Sequence, residues 1–118
     1  GDGWETRRSR GKNSDWLILK CAAAGKINKI QIDTHHFKGN YPNQCSIQAT
    51  YLNNKISAKA IVSKSKKWGL LLNKVKLHAH KKHNFKNNLM KNKKINYMRI
   101  NIFPDGGISR IRAFGKVN

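Results

Sequence analysis

The side chains best suited to moving protons in this chain are five histidines and five acids. His35-His36 follows Asp33-Thr34, and His78, His80 and His83 fall within six residues. In a strand, positions 78 and 80 share a face. Imidazoles titrate near neutral pH, so such a set suits a general base or a ligand set for a divalent metal. The plainer alternative is a group of solvated histidines in a lysine-rich loop. The acids are Asp2, Glu5, Asp15, Asp33 and Asp105, set against 25 lysines and arginines. Glu5 stands beside Arg7 and Arg8, which would keep its carboxyl ionised. An Arg fork also suits a carboxylate ligand. The alternative there is a surface ion pair worth at most about 1 kcal/mol. Asp105 precedes Gly106, where Asp commonly bonds its own backbone in a turn. Cys21 and Cys45 are too few for a zinc site. Reduced thiols are expected, with pairing left open. P-loop, dinucleotide-binding, Gly-x-Ser-x-Gly and zinc-finger patterns do not occur.

Short strands must position these groups. Trp16-Leu17-Ile18-Leu19 is an apolar run of strand length, and residues 22–26 read as a turn. Ile30 and Ile32 alternate as in a half-buried strand, as do Ile47, Ala49 and Tyr51. Gly39 to Asn43 reads as a loop. Residues 53–94 hold 13 lysines and no acid. Within them Trp68-Gly69-Leu70-Leu71-Leu72 is the structured-looking island, and Lys86 to Lys94 reads as a solvated loop or insertion. Met98, Ile100 and Ile102, then Ile108, Ile111 and Ala113, frame two strands around Phe103-Pro104-Asp105-Gly106-Gly107, a turn sequence. No stretch of 11 or more residues shows a 3.6-residue period. Five to eight short strands in 118 residues predict an all-β sandwich or jelly roll, as a single domain over 1–118.

The formal charge is +20. It attracts polyanions, and screening beyond about 10 Å at moderate salt leaves folding permitted. Lysine supplies 19 of the 25 cations, and asparagine numbers 14, the signature of AT-rich coding. A surface selected for nucleic acid would lean on Arg, so a nucleic-acid or polyanion partner is not favoured. No apolar run nears the ~18 residues of a membrane span. The opening Gly1-Asp2-Gly3-Trp4 is no secretory signal. A cytoplasmic location without membrane partners is expected.

Five ordered blocks carry a resemblance. They are Gly1-Asp2-Gly3-Trp4-Glu5-Thr6 with the arginines after it, and Asp15-Trp16 with Ile18 and Lys20. Asp33-Thr34 with His36-Phe37-Lys38-Gly39-Asn40 is the third. The fourth runs from Trp68 through Leu71-Leu72, Leu77, His80, His83 and Phe85. The last is Arg99 through Gly107 with Ser109-Arg110-Ile111-Arg112. Together they resemble the allantoicase family, enzymes that hydrolyse allantoate to ureidoglycolate and urea in purine and ureide breakdown. The second of that family's two tandem repeats is the better match. Tyr97 stands where the family usually has His, Asn73 where it has Pro, and Cys21-Ala22 where it has Leu-Gly.

The resemblance implies a galactose-binding-like jelly-roll β-sandwich, allantoate as substrate and a homo-oligomeric hydrolase. By residue type and block position, it implies Glu5, His36, His80, His83 and Asp105 as catalytic groups. It implies Arg7, Asp33, Lys38, Arg99 and Arg110 as substrate-binding groups, with Arg99 or Arg110 on the carboxylate. A divalent metal such as Mn is the cofactor it leaves open, with no ligand set assigned. The competing expectation is a non-catalytic basic jelly-roll module that binds an acidic protein, a polyanion or a partner subunit.

Overall fold

The computed structural model describes residues 5–10, 15–35, 44–91, 94–103, 108 and 110–117, with backbone alone at 5–10, 15, 22 and 117. Its strands are β1 (Glu5–Arg10), β2 (Asp15–Asp33), β3 (Gln44–Thr50), β4 (Gly69–Lys76), β5 (Lys82–Phe85), β6 (Ile95–Phe103) and β7 (Arg110–Val117). A helix, α1 (Ala58–Ser65), lies between β3 and β4. The strand order is β1-β2-β6-β3-β4, with β5 and β7 both pairing with β2. Every pairing is antiparallel. The all-β jelly-roll expectation is met, in the form of a sheet curled about one long strand.

That strand corrects the reading of residues 22–26 as a turn. β2 runs straight through them. Its first half pairs with β1 and β6, its second with β5 and β7. The exchange falls at Gly25, opposite both Ile95 of β6 and Val117 of β7, after a register shift from Lys20. A glycine inside a strand commonly marks such a bulge or bend. The bend lets both halves of β2 face one core. Leu19 comes from the first half, Ile30 and Ile32 from the second, and all pack with Cys45, Ile47, Leu72, Met98 and Ile100. Each fully buried Ile or Leu contributes roughly 1.5–3 kcal/mol through removal from water.

The lysine-rich stretch is also more ordered than its composition suggests, since it supplies α1, β4 and β5. Ser57 caps α1 by accepting a hydrogen bond from the Ala60 N–H at 3.2 Å. Ile61 of α1, with Ile18 and Trp68, forms a second, smaller core on the other face of the sheet. Leu89 forms an isolated bridge to Leu72, and the Met90 N–H donates to the Leu71 carbonyl at 2.8 Å. Tyr51 lies beyond the end of β3 and is exposed, whereas Cys45 and Ile47 of β3 point into the core.

Candidate functional site

The second half of β2 ends at Asp33, and this end gathers the titratable side chains. Asp33 lies in register between Lys82 of β5 and Arg110 of β7. Directly opposed residues in antiparallel strands share a face. The Asp33 carboxylate is buried. Its Oδ1 accepts the backbone N–H of His35 at 2.8 Å and stands 2.8 Å from His35 Nδ1. With the carboxylate ionised, Nδ1 carries the proton and Nε2 is the basic nitrogen. Burial works to raise the Asp33 pKa. The two His35 hydrogen bonds and the charges of His35 and Lys82 outweigh it and hold the carboxyl below its ordinary value.

The turn between β4 and β5 closes over this end. Thr34, fully buried, donates its hydroxyl to the His78 carbonyl at 2.6 Å and accepts the Lys81 N–H at 3.1 Å. The Thr34 N–H donates to the Lys81 carbonyl at 2.9 Å. Pinned in this way, the turn sets the His80 ring 4.5 Å from the His35 ring. His80 has φ 50°, in the left-handed region that costs a side chain roughly 1–2 kcal/mol. His78 and His80 therefore sit in a turn and not on one strand face, as their spacing had suggested.

His83 has a different environment. It is buried on β5, with its ring stacked between those of His78 and Phe85. Nε2 accepts the His78 N–H at 2.8 Å, which leaves Nδ1 to donate to the Ile32 carbonyl at 3.1 Å. Burial lowers its pKa below the ordinary imidazole value, partly offset by the bond to Ile32 and helped by Lys81 and His78. A ring with both nitrogens bonded to backbone clamps β2 to the turn. His83, expected as a base, is held with both ring nitrogens in hydrogen bonds to backbone.

Arg99 does not join Asp33. It lies on β6 opposite Ile18, near the other end of β2. Its Nε donates to Asn101 Oδ1 at 2.8 Å, its Nη1 donates to Ser65 Oγ at 2.7 Å, and its guanidinium lies 4.7 Å over the Trp16 ring. Burial lowers its pKa. Arg7 is in backbone register with the same Ile18, and Glu5 with Lys20, which itself faces Tyr97. The ten expected site residues thus divide. Asp33, His80 and Arg110 gather at one end of β2 with His83 beneath them, while Arg99 and the backbone of Glu5 and Arg7 align at the other. His36, Lys38 and Asp105 lie outside the described residues.

Sequence reasoning passed over His35 in favour of its neighbour. Its signal was the Asp-Thr-His spacing, which lets a carboxylate reach both the backbone and the ring two residues on. Among the described residues no three His, Cys, Asp or Glu side chains are grouped to hold a metal ion, and no helix is long and apolar enough to cross a membrane. The thiols of Cys21 and Cys45 are free, and burial pushes that of Cys45 up to about 12.

A curled antiparallel jelly roll of this kind is galactose-binding-like in fold. The Paenibacillus chitosan-binding module aligns over 98% of this chain and 80% of its own, with a TM-score of 0.61 and 11% identity, a likeness of fold alone. The allantoicase repeat family matches residues 1–118, and the chain belongs to that family. A probable allantoicase of Acinetobacter baumannii (strain AYE) is 48% identical over 117 residues, which is 99% of this chain and 34% of that protein. The crystal structure of Saccharomyces cerevisiae allantoicase aligns over 98% of this chain and 32% of its own, with a TM-score of 0.70 and 31% identity. The chain spans about a third of the length of the curated relatives it matches.

Proposed function

We propose that this chain acts as an allantoicase repeat in the hydrolysis of allantoate to ureidoglycolate and urea, with the Asp33–His35 pair handling the proton. The observation that carries the reading is the 2.8 Å contact of His35 Nδ1 with a buried, ionised Asp33 in a chain of this family. Water bound near His35 Nε2 gives up a proton there as its oxygen bonds to the central carbon of the substrate. The C–N bond to one ureido group breaks, and that nitrogen takes a proton to leave as urea. Asp33 holds the imidazole in the required tautomer and stabilises the imidazolium, the usual service of a carboxylate behind a histidine. Arg110, in register with Asp33, is suited to the substrate carboxylate. His80, against the His35 ring, bounds the site. His83 and Thr34 act as positioning residues through the 77–81 turn.

The test replaces the matching third of the Acinetobacter baumannii relative with this chain and assays urea release from allantoate, with and without Mn²⁺. An active chimera is expected, losing roughly 10²–10⁴-fold in kcat when His35→Gln or Asp33→Asn is introduced. An active chimera indifferent to both changes would remove the proton-handling role from this pair. An inactive but folded chimera would favour the second reading, a non-catalytic binding module, which draws support from the unpaired lysines discussed below.

A further inference from the structure

We infer that the first half of β2, just before its bend, borders a separate binding site for a compact oxyanion such as phosphate, independent of the allantoate reading. A cavity of about 240 Å³ opens there, lined by Lys20, Lys55, Asn53, Asn54, Asn96 and Tyr97 together with the aliphatic Leu52 and Ile56. No acid lines it. The space is ample for a small ion with its waters.

Its walls are fixed. The Asn96 side chain clamps the 52–56 loop to β6, donating to the Leu52 carbonyl at 2.8 Å and accepting the Leu52 N–H at 2.9 Å. That use consumes the Asn96 amide and makes it a wall. Leu52 and Ile56 pack with Tyr97 against the core of Ile18, Ile61 and Trp68. The Tyr97 ring lies 6.0 Å from that of Trp68. At the far end of the loop Ser57 starts α1. On this frame Lys20 projects from β2 directly opposite Tyr97 of β6, on the same face.

The loop contributes Lys55 with Asn53 and Asn54. Among the described residues, no hydrogen bond or ion pair engages the side chains of Lys20, Lys55, Asn53 or Asn54. The lining residues carry two ammonium groups, two free amides and a phenol. That set matches the oxygens of a compact anion, and charge-assisted bonds of this kind are the strong ones. Lys20 sits in the first half of β2, and Asp33 closes the second, so the two sites do not share residues.

The test follows backbone amide shifts by NMR as inorganic phosphate is titrated into the 118-residue chain. Saturable shifts are expected, centred on Asn53, Asn54, Lys55, Asn96 and Tyr97. The double variant K20Q/K55Q should weaken binding at least about tenfold, since each charged hydrogen bond contributes roughly 1.5–3 kcal/mol. The charge-matched control K76Q/K86Q removes two exposed lysines, one at the Gln44–Phe103 end of the sheet and one just past the Ile30–Phe85 pair, and should stay within about twofold of the parent, because exposed charges beyond ~10 Å are screened. Unchanged spectra elsewhere check the fold of each variant. Linear shifts spread over all surface lysines, or equal losses in the two doubles, would overturn the site.

Discussion

At the scale of single residues, histidines with the same chemistry are used in different ways. His35 keeps one nitrogen for Asp33 and directs its basicity through the other. His83 spends both nitrogens on backbone. The distinction can be measured through pH. The His83 pKa is lowered on folding, so the folded state favours its neutral form. Its contribution to stability is fully present above the unfolded value near 6.5 and is lost as pH falls through the lowered folded value. The melting temperature should therefore fall as pH drops from about 6.5 toward 5, in the window set by the unfolded imidazole. His83→Gln should lower the melting temperature at pH 7.5, where roughly 1 kcal/mol is lost per missing hydrogen bond. It should also flatten the slope between pH 6.5 and 5. A slope unchanged in His83→Gln would assign the acid sensitivity elsewhere. Asp33 acts at lower pH. Its lowered pKa gives stability present above the ordinary carboxyl value and lost only as pH falls through the folded one.

At the scale of elements, the Asp33 end depends on a turn to which the Thr34 hydroxyl makes two of the bonds. Thr34→Val keeps the shape of the side chain and removes its bonds to the His78 carbonyl and the Lys81 N–H. Leaving buried polar groups unpaired should cost roughly 1–3 kcal/mol, read as a shift in the urea midpoint at unchanged slope. The bend in β2 has its own requirement at Gly115 of β7, opposite Ile27. A Cβ there would meet the Lys26 carbonyl oxygen at 1.8 Å and its carbon at 2.8 Å, both backbone. Gly115→Ala must push β7 off β2 and should destabilise more than Thr34→Val. A smaller loss would mean β7 shifts freely.

These elements also show what was legible beforehand. The alternations at Ile30 and Ile32, at Ile47 and Ala49, and at Met98, Ile100 and Ile102 each marked a core-facing strand. The turn assigned to 22–26 failed because Gly25 is punctuation within a bent strand as often as between two, and only its partners on either side decide. α1 carried a cap at Ser57 and inward residues at Ile61 and Ser65, but eight residues are too few to establish a 3.6 period. The site was legible as residue types and blocks. Its division between two ends of β2 was not, because register across the bend is set by strands distant in sequence.

At the scale of the whole molecule, the charge is the feature the fold does not neutralise. Between described residues, the ion pair within 4 Å is that of Asp33 with His35. Several cations lie over rings in place of acids. Lys29 sits 4.4 Å from the Phe114 centroid, Lys74 4.1 Å from Phe103 and Lys94 4.3 Å from Tyr51. Such contacts are worth roughly 0.5–1 kcal/mol at exposed sites and leave the positive charge in place. A chain with +20 must then retain on heparin at low salt and elute as salt rises. Retention alone does not separate a built polyanion site from a surface enriched in lysine by composition, but the distribution of its loss does. Lys59, Lys64, Lys66 and Lys67 lie on and after α1, whereas Lys81, Lys82, Lys86 and Lys91 lie on β5 and its flanks. Lysines occur on most elements and Arg is scarce, so the charge is spread and its attraction is summed over the surface. Changing either set of four to Gln should lower the eluting salt by equal amounts. A drop confined to one set would instead mark a selected polyanion surface and move the chain toward the binding-module reading. Equal drops leave the charge as a property of composition, summed over the surface and not built into a site.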